Sequence, residues 1–348
     1  MITEITNKLS LYQDLSYDEM SNAMDELLRG QISPQEGANF LRNLTDKGES
    51  DEEFLAMLDK MHQYAIHINP KRSGRIIDVC GTGGDKMKTF NVSTTAAFVI
   101  NGVGGTVAKH GNRSVSGIYG SADIFEYFGY DLNMPPEKVT EIIEKCGIGF
   151  MFAQKFHPAM KNIAEARKIL STRTAFNLLG PLSNPAGVKN QLVGVYSADY
   201  LERIVLLLKS RGAENVMGVL SHDGLDELST SSKNQICHLK DGKISIRILN
   251  PMDFGLTKSA LGDIQISSKE EAIKSFITVL RGTANKSMIE VTALNAAAGL
   301  IISGISNDFH DAVPMALDSL KSGRSYEAFR NFIRLCSNME KVEEFEKS

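Results

Sequence analysis

The sequence has few cysteines, no long apolar run and little net charge, and each shortage excludes a class of protein. Its four cysteines lie far apart without a C-x-x-C pair, so we expect buried thiols and neither a disulfide framework nor a cysteine-based metal site. No uninterrupted apolar run is close to the length of about 18 residues that a membrane-spanning helix needs. Residues 1–13 lack the apolar stretch of a secretory signal. We therefore expect a cytoplasmic protein that makes no contact with a membrane.

The charge balance limits the partners as well. A formal net charge of -4 gives the chain no general attraction for nucleic acid or anionic lipid, so any phosphate that it binds must be held by a local site. We expect a small-molecule partner and no nucleic acid. With 348 residues, 42% of them hydrophobic, the chain has enough material for a sizeable core and is predicted to fold as two domains.

The first seventy residues carry three capping boxes, each of which marks the start of a helix. In a capping box a serine accepts a hydrogen bond from the backbone three residues on, while a glutamate reaches back. Apolar residues recur at helical spacing after each box. We predict a helical domain over residues 1–72, completed by a second helical stretch within about 165–190. The three boxes are Ser16 with Glu19, Ser33 with Glu36, and Ser50 with Glu53.

From Ile76 onward short apolar strands alternate with helical patterns, which is typical of a parallel sheet covered on both faces. Beyond Ser268, which is expected to form a fourth capping box with Glu271, the chain is mostly helical. The sequence therefore predicts the α/β class. The small helical domain is followed by a large α/β domain over residues 73–348, with a mostly parallel central sheet and a helix-rich C-terminus. The predicted strands are 76–80, 106–108, 191–196 and 216–220.

Two loops at the ends of neighbouring strands predict an anion site. The turn at residues 81–85 contains three glycines, which let backbone N–H groups approach phosphate oxygens. Residues 109–113, after the second predicted strand, add two cations, a histidine and an amide. Parallel strands open on the same edge of a sheet, so both loops are expected to converge on one crevice. Either loop alone is compatible with a solvated turn, and it is their combination that favours an anion site.

Asp226 and Glu227 follow the predicted strand 216–220 and are candidates for a magnesium site. Mg²⁺ prefers one or two carboxylates together with phosphate oxygens and water, which fits a pair at the same edge of the sheet. Taken alone, an Asp-Glu pair is more typical of a solvated surface turn.

A third group lies on a predicted helix. Met160 and Arg167 are two helical turns apart and share a face, with His157 just before them. The Arg167 guanidinium is suited to bidentate binding of a carboxylate. From spacing alone, a surface arginine on a helix explains it equally well.

Taken together, these segments resemble the anthranilate phosphoribosyltransferase family, within the nucleoside-phosphorylase-like class of phosphoribosyltransferases. The resemblance runs from about residue 10 to about residue 330. The motifs that carry it are, in order, Gly81-Thr82-Gly83-Gly84-Asp85, Asn91-Val92-Ser93-Thr94, Lys109-His110-Gly111-Asn112-Arg113, Gly120-Ser121-Ala122-Asp123, His157-Pro158-Ala159-Met160-Lys161, Phe176-Asn177-Leu178-Leu179-Gly180-Pro181-Leu182 and Asp226-Glu227.

The resemblance implies an activity and an assembly. The activity is transfer of the phosphoribosyl group of phosphoribosyl diphosphate (PRPP) to the amine of anthranilate, which gives N-(5-phosphoribosyl)anthranilate and diphosphate in tryptophan biosynthesis. Mg²⁺ is the implied cofactor. The implied assembly is a homodimer joined through the helical domains.

The resemblance also implies roles for individual residues. The implied PRPP contacts are Gly81, Gly84, Asp85, Thr89, Asn91, Ser93, Thr94, Lys109 and Ser121. The implied metal ligands are Ser93, Asp226 and Glu227, and the implied anthranilate contacts are Gly81, Asn112, Arg167, His110 and His157. The implied catalytic residues are Lys109, Asp226 and Glu227.

One loop departs from the family's pattern. Residues 116–119 read Ser116-Gly117-Ile118-Tyr119, where the family commonly has a second serine and a polar or basic residue. This loop closes over PRPP in the family, so we expect fewer hydrogen-bond donors over the bound donor substrate in this chain.

The same residues also bear on other functions. A pyrimidine nucleoside phosphorylase shares the fold and the phosphate-binding logic, but Asn112 with Arg167 favours a carboxylate-bearing acceptor over a uracil edge. Another aminobenzoate is not distinguished from anthranilate by the sequence. A nucleic-acid-binding protein of the same fold would require a basic groove, which a net charge of -4 disfavours.

Overall fold

The computed structural model describes residues 2–83, 87–114 and 118–347 and divides the chain into two compact units. The first unit comprises Met1–His67 with Ala153–Pro185, and the second comprises Ile68–Phe152 with Ala186–Ser348. The first is helical, and the second contains the sheet.

Helices and strands make up most of the described chain. Short 3-10 helices add single turns at Pro158–Met160, Pro251–Phe254 and Leu261–Ile264. In chain order the other elements are α1 Ile2–Ser10, α2 Tyr17–Leu28, α3 Pro34–Lys47, α4 Asp51–Gln63, β1 Ile76–Gly81, α5 Val92–Gly102, β2 Thr106–Gly111, α6 Ser121–Tyr127, α7 Pro136–Cys146, β3 Ile148–Phe152, α8 Ala153–Phe156, α9 Lys161–Leu170, α10 Phe176–Leu182, β4 Asn190–Gly194, α11 Ala198–Ser210, β5 Asn215–Ser221, β6 Asn234–Lys240, β7 Lys243–Leu249, α12 Lys269–Leu280, α13 Lys286–Ser303, α14 Phe309–Lys321, α15 Arg324–Cys336 and α16 Glu340–Lys347.

The three capping boxes predicted for the helical unit all form. Ser16, Ser33 and Ser50 each precede a helix and accept the backbone N–H of the glutamate three residues on, whose carboxylate accepts the serine N–H in return. Each box satisfies two backbone N–H groups that the first turn of a helix leaves without an intrahelical partner. Each cap stabilises the unit by about 1 kcal/mol.

Helix α9 supplies part of the first unit's interior. Asn162 on α9 donates a hydrogen bond from Nδ2 to the Leu28 carbonyl oxygen at 2.6 Å. Gly37 on α3 faces Ala166 so closely that a Cβ at position 37 would lie 3.0 Å from the Ala166 Cβ. The segment that returns at residue 153 therefore packs directly on the N-terminal helices.

In the described part of the second unit, seven strands form one sheet in the order β3-β2-β1-β4-β5-β6-β7. The strands from β1 to β5 run parallel, and β6 and β7 are antiparallel additions at one edge. The expected α/β fold with a mostly parallel sheet is confirmed. Strands β3, β6 and β7 were not predicted from the sequence. Strands β6 and β7 form a hairpin, and its turn residues Asp241 and Gly242 both have positive φ, as type I′ turns require.

The chain begins the sheet in its middle, and this order creates a crevice. From β1 it proceeds through β2 to β3 on one side and then returns to β4 on the other side of β1. The loops that follow β1 and β4 therefore leave in different directions, which opens the strand ends to a ligand at this point. Helices α5 and α13 pack on the Ile77 face of the sheet, and α11 packs on the opposite face at Gly218.

Two smaller expectations can be compared with the described chain. Among the four cysteines, Cys237 alone is buried and the other three are half-buried, so the expectation of buried thiols is right for one of them. No helix among the described residues combines the length and the apolar character that crossing a membrane requires.

Candidate functional site

The glycine turn after β1 meets the segment that follows β5. The Gly83 N–H donates to Asp226 Oδ2 at 2.6 Å, and the Thr82 N–H donates to the Gly194 carbonyl oxygen at 2.9 Å. Gly84 and Asp85, which the sequence assigned to PRPP, lie outside the described residues. The described part of the turn is thus held between β4 and a carboxylate predicted to bind metal.

Two glycines make room for Asp226. Gly81 and Gly194 are register partners at the ends of β1 and β4. A Cβ at position 81 would lie 2.3 Å from Asp226 Oδ2, and a Cβ at position 194 would lie 1.5 Å from the Asp226 carbonyl oxygen. Real Cβ atoms essentially never come closer than 3.0 Å to such an atom, so both positions require glycine for close approach. Gly194 was not among the predicted site residues.

Glu227 lies at the first turn of α5. Its Oε1 accepts the Ser93 N–H at 3.3 Å, which places a carboxylate at the positive end of the helix dipole. Thr94 in the same turn is 2% exposed. Asn91 occupies the N-cap position of this helix without a side-chain capping bond, and its Nδ2 donates to the Tyr119 carbonyl oxygen.

Lys109 reaches the same place from β2. The sequence placed it in a loop, but β2 continues to Gly111 because it pairs with the unpredicted strand β3. The Lys109 side chain is 2% exposed, and its Nζ donates to the Val79 carbonyl oxygen at 2.7 Å and to Ser93 Oγ at 3.4 Å. A buried ammonium group is therefore fixed at the start of α5.

Asp78 lies beneath this group and was missed at the sequence level. It is fully buried on β1 and accepts hydrogen bonds from the His110 N–H at 3.3 Å and from Gln191 Nε2 at 3.4 Å. The bonds join β1 to its neighbours β2 and β4 directly below the site. The signal that could have identified it is a carboxylate inside an otherwise apolar strand.

The segment after β2 is held by its own polar groups. The Asn112 carbonyl oxygen accepts the Ser121 hydroxyl at 3.3 Å, and the Asn112 side chain is exposed. We expected Arg113 to contribute a cation to the anion site, but its guanidinium pairs with Glu126 at 2.7 Å and Asp123 at 2.6 Å. The two carboxylates raise the pKa of Arg113. Ser116 and Gly117, in the loop that differs from the family's pattern, lie outside the described residues.

Thr89 is anchored to the segment that precedes α12. It forms a single antiparallel bridge with Gln265, whose Nε2 donates to the Met87 carbonyl oxygen at 3.0 Å. The Phe90 N–H donates to the Ile264 carbonyl oxygen in the same contact. Residues 87–90 are therefore tied to the segment that precedes α12.

The helical unit carries the third predicted group. Arg167 on α9 is half-buried; its Nη2 lies 3.4 Å from Asn177 Oδ1, and its guanidinium lies 5.7 Å from the centre of the Phe176 ring. Burial lowers the pKa of Arg167. His157 is 5% exposed, and burial lowers its pKa to about 4, so its imidazole is neutral at pH 7. The structure thus places a half-buried cation beside an aromatic ring and an amide oxygen.

The carboxylates suit a metal that a ligand completes. No group of three or more His, Cys, Asp or Glu side chains that could hold a metal ion occurs within the described ranges. Asp226 and Glu227 instead offer two hard oxygen donors near backbone N–H groups and a buried ammonium. Mg²⁺ is bound in this way, by one or two carboxylates and by phosphate oxygens of the substrate. The donor set fits Mg²⁺ bound together with a diphosphate.

Two family descriptions match the chain. Residues 73–326 match the glycosyl transferase family a/b domain, and residues 3–65 match the glycosyl transferase family helical bundle domain. An anthranilate phosphoribosyltransferase of Nitrosopumilus maritimus is 58% identical over 344 residues, with 99% of each chain covered. One from Cenarchaeum symbiosum is 45% identical, with 94% of this chain and 95% of that protein covered.

Solved structures show the same similarity. The crystal structure of anthranilate phosphoribosyltransferase from Thermus thermophilus superposes with a TM-score of 0.88 at 35% identity, covering 95% of this chain and 98% of that one. The Saccharomyces cerevisiae enzyme in complex with PRPP and Mg superposes with a TM-score of 0.87 at 25% identity, covering 96% and 97%.

Proposed function

The chain belongs to the anthranilate phosphoribosyltransferase family, and we propose that it transfers the phosphoribosyl group of PRPP to the amine of anthranilate in tryptophan biosynthesis. The products are N-(5-phosphoribosyl)anthranilate and diphosphate. The single observation that carries the proposal is the convergence of Asp226, Glu227 and Lys109 on the glycine turn and the first turn of α5. That arrangement brings a fixed ammonium, the N-terminus of a helix and two carboxylates suited to a metal together in one place.

The donor side of the proposed site contains a fixed positive charge. The buried Lys109 ammonium, which lies beside Ser93 at the N-terminus of α5, is suited to a diphosphate. The proposed PRPP contacts are Gly81, Gly84, Asp85, Thr89, Asn91, Ser93, Thr94, Lys109 and Ser121.

Mg²⁺ is the proposed cofactor, held by Ser93, Asp226 and Glu227. When bound, it would neutralise charge on the diphosphate as that group leaves. The support on the protein side is the placement of both carboxylates: each accepts a backbone N–H at the edge of the sheet, Asp226 from Gly83 and Glu227 from Ser93.

The proposed anthranilate contacts are Gly81, His110, Asn112, His157 and Arg167. Arg167 is proposed to bind the carboxylate, because its half-buried guanidinium is available for a charge-assisted hydrogen bond. The neutral His157 imidazole adds no second charge to compete for that carboxylate.

The chemistry requires positioning and charge stabilisation more than proton removal. Anthranilate's aromatic amine is neutral at pH 7, so its nitrogen can attack C1 of the ribose while the bond from C1 to the diphosphate oxygen breaks. The proton then leaves the nitrogen for solvent, and C1 is inverted. Lys109 stabilises the charge that develops on the departing diphosphate, and the binding groups hold both substrates in line.

Two further parts of the proposal concern the whole molecule. We propose a homodimer joined through the helical unit, because Leu11 and Tyr12 after α1 are 70% and 71% exposed and give a partner copy an apolar surface to cover. Light scattering of the parent and of Tyr12→Glu is the measurement, with a smaller mass expected for the variant. We also propose that the protein acts in the cytoplasm.

The experiment that tests the function is an acceptor panel. Purified protein is mixed with PRPP, Mg²⁺ and one of three aminobenzoate isomers, and diphosphate release is compared with loss of acceptor. One diphosphate per anthranilate, with the 3- and 4-amino isomers inactive, is expected. Release of diphosphate with the 3- or 4-amino isomer and not with anthranilate would reassign the acceptor. In a separate reaction with uridine and phosphate, cleavage of uridine would support a nucleoside phosphorylase instead.

A further inference from the structure

Asn295 holds the segment that carries the two carboxylates. Its Oδ1 accepts the Leu228 N–H at 3.0 Å, and its Nδ2 donates to the Leu228 carbonyl oxygen at 2.8 Å. The same Nδ2 also donates to the Val291 carbonyl oxygen at 2.9 Å, one turn earlier on α13. One side-chain amide therefore binds both backbone groups of the residue that directly follows Asp226 and Glu227.

Asn234 repeats this arrangement on the next residue. Its Oδ1 accepts the Ser229 N–H at 2.7 Å, and its Nδ2 donates to the Ser229 carbonyl oxygen at 2.9 Å. Asn234 is the first residue of β6 and is completely buried. Two successive peptide units after the carboxylates are thus bound by buried amides from two different elements.

A role within α13 alone does not explain Asn295. The residue is 2% exposed in a helix that is buried along most of its length, where alanine is a better helix former. The bond to Val291 satisfies one donor of the amide, and the remaining donor and acceptor are both used on Leu228. Burial of an amide is favourable only when its groups are bonded, so its partners determine its position.

The clamped segment is also fixed on its other side. Leu225 and Leu228, which flank the carboxylates, are 2% and 0% exposed. The Asp226 backbone lies against Gly194, and its Oδ2 accepts the Gly83 N–H. The backbone that carries the side chains of residues 226 and 227 is therefore anchored on both sides, by Asn295 and by the contacts with Gly194 and Gly83.

We propose that Asn295, assisted by Asn234, is a positioning residue that holds Asp226 and Glu227 in their metal-binding arrangement before Mg²⁺ and PRPP arrive. The inference deepens the proposed function and rests on it. Residues that orient metal ligands are typically worth about 10-fold to 100-fold in metal affinity. Asn295 and Asn234 would act less directly than such residues, because they bind the backbone next to the metal ligands and not the ligands themselves.

The test compares Asn295→Ala with Asn215→Ala. Asn215 is also 2% exposed in the sheet unit; its Nδ2 donates to the Ile302 carbonyl oxygen at 3.1 Å and its Oδ1 lies 2.8 Å from His238 Nε2, at the opposite end of β5. Both variants lose a buried amide, but only the first loses the clamp. Calorimetric binding of PRPP is measured with and without Mg²⁺, and the electron paramagnetic resonance of Mn²⁺ with PRPP is recorded.

We expect Asn295→Ala to weaken binding of PRPP in the presence of Mg²⁺ by about tenfold or more, and to broaden the Mn²⁺ spectrum. Binding of PRPP without metal should change by less than about threefold, because Lys109 does not depend on Asn295 for its position. Asn215→Ala should lose similar thermal stability and keep the parent's metal dependence. Equal effects of the two variants, or no effect of either, would overturn the inference.

The parent protein provides an independent test if Asn295→Ala does not fold. The Leu228 and Ser229 amides should exchange hydrogen slowly in metal-free protein, because their acceptors are buried asparagines. Fast exchange that slows only on addition of Mg²⁺ and PRPP would show that the metal orders the segment, and the inference would be wrong. If the parent binds no PRPP with Mg²⁺ at all, the proposed function itself fails, and the inference fails with it.

Discussion

Replacing Gly194 by alanine should disable the metal site through a single methyl group. The new Cβ would lie 1.5 Å from the Asp226 carbonyl oxygen and 2.5 Å from its carbonyl carbon, whereas real contacts stay above 3.0 Å. The Asp226 backbone must therefore retreat by about 1.5 Å. A misplacement of about 1 Å in a catalytic group costs roughly 100-fold in rate, or about 2.7 kcal/mol. We expect kcat/KM for PRPP to fall by at least that factor.

Gly218→Ala is the matched control. Gly218 lies on the neighbouring strand β5, and its Cβ would meet Val205 Cγ2 at 2.9 Å and the Leu201 carbonyl oxygen at 3.2 Å on α11, away from Asp226. Both substitutions overpack the sheet and should lower stability by about 1–3 kcal/mol. Initial rates are measured over a range of Mg²⁺ concentrations. A metal requirement that rises in Gly194→Ala and not in Gly218→Ala supports the reasoning, and identical profiles refute it.

Three further outcomes are expected. Arg167→Ala should raise the KM for anthranilate by about 10-fold to 100-fold and leave the KM for PRPP unchanged, because a charge-assisted hydrogen bond to the carboxylate is lost. Lys168→Ala, on the exposed side of α9, is the control. Equal effects of the two variants on the KM for anthranilate would show that Arg167 does not bind the acceptor. Asp226→Asn should weaken use of Mg²⁺ and PRPP together, so an unchanged metal dependence would return Asp226 to a purely structural role. His157 has a pKa near 6.5 in the unfolded chain and about 4 in the folded chain, so the free energy of unfolding should fall as the pH drops through this range. In denaturant titrations, His157→Gln should lose about 2 kcal/mol less of this free energy between pH 7 and pH 5 than the parent does.

Local signals explain what the sequence predicted well. The three N-terminal capping boxes form as expected because each depends on residues only three positions apart. A fourth box expected at Ser268 forms only in part: Ser268 accepts the Glu271 N–H, but the Glu271 carboxylate accepts the Ser267 N–H instead. Here the competition between two adjacent donors decided the outcome, and composition does not reveal which one wins.

Long-range contacts explain what the sequence did not predict. Strand β2 was predicted too short because its last residues are strand only by pairing with β3, which lies about forty positions later. Arg113 looked like a ligand for phosphate because its partners Asp123 and Glu126 lie on the following helix. Gly194 carries no local motif, since its requirement for glycine comes from Asp226 across the strand ends. Such roles depend on which elements meet, and periodicity does not specify that.

The measurement that tests the central claim most directly is the loss of anthranilate fluorescence when purified protein is mixed with PRPP and Mg²⁺. We predict a rapid loss that stops when a chelator is added, does not occur without PRPP, and is strongly reduced in Asp226→Asn. Stable fluorescence under all conditions, in protein that calorimetry shows to bind PRPP, would contradict anthranilate as the acceptor and leave only the donor half of the site.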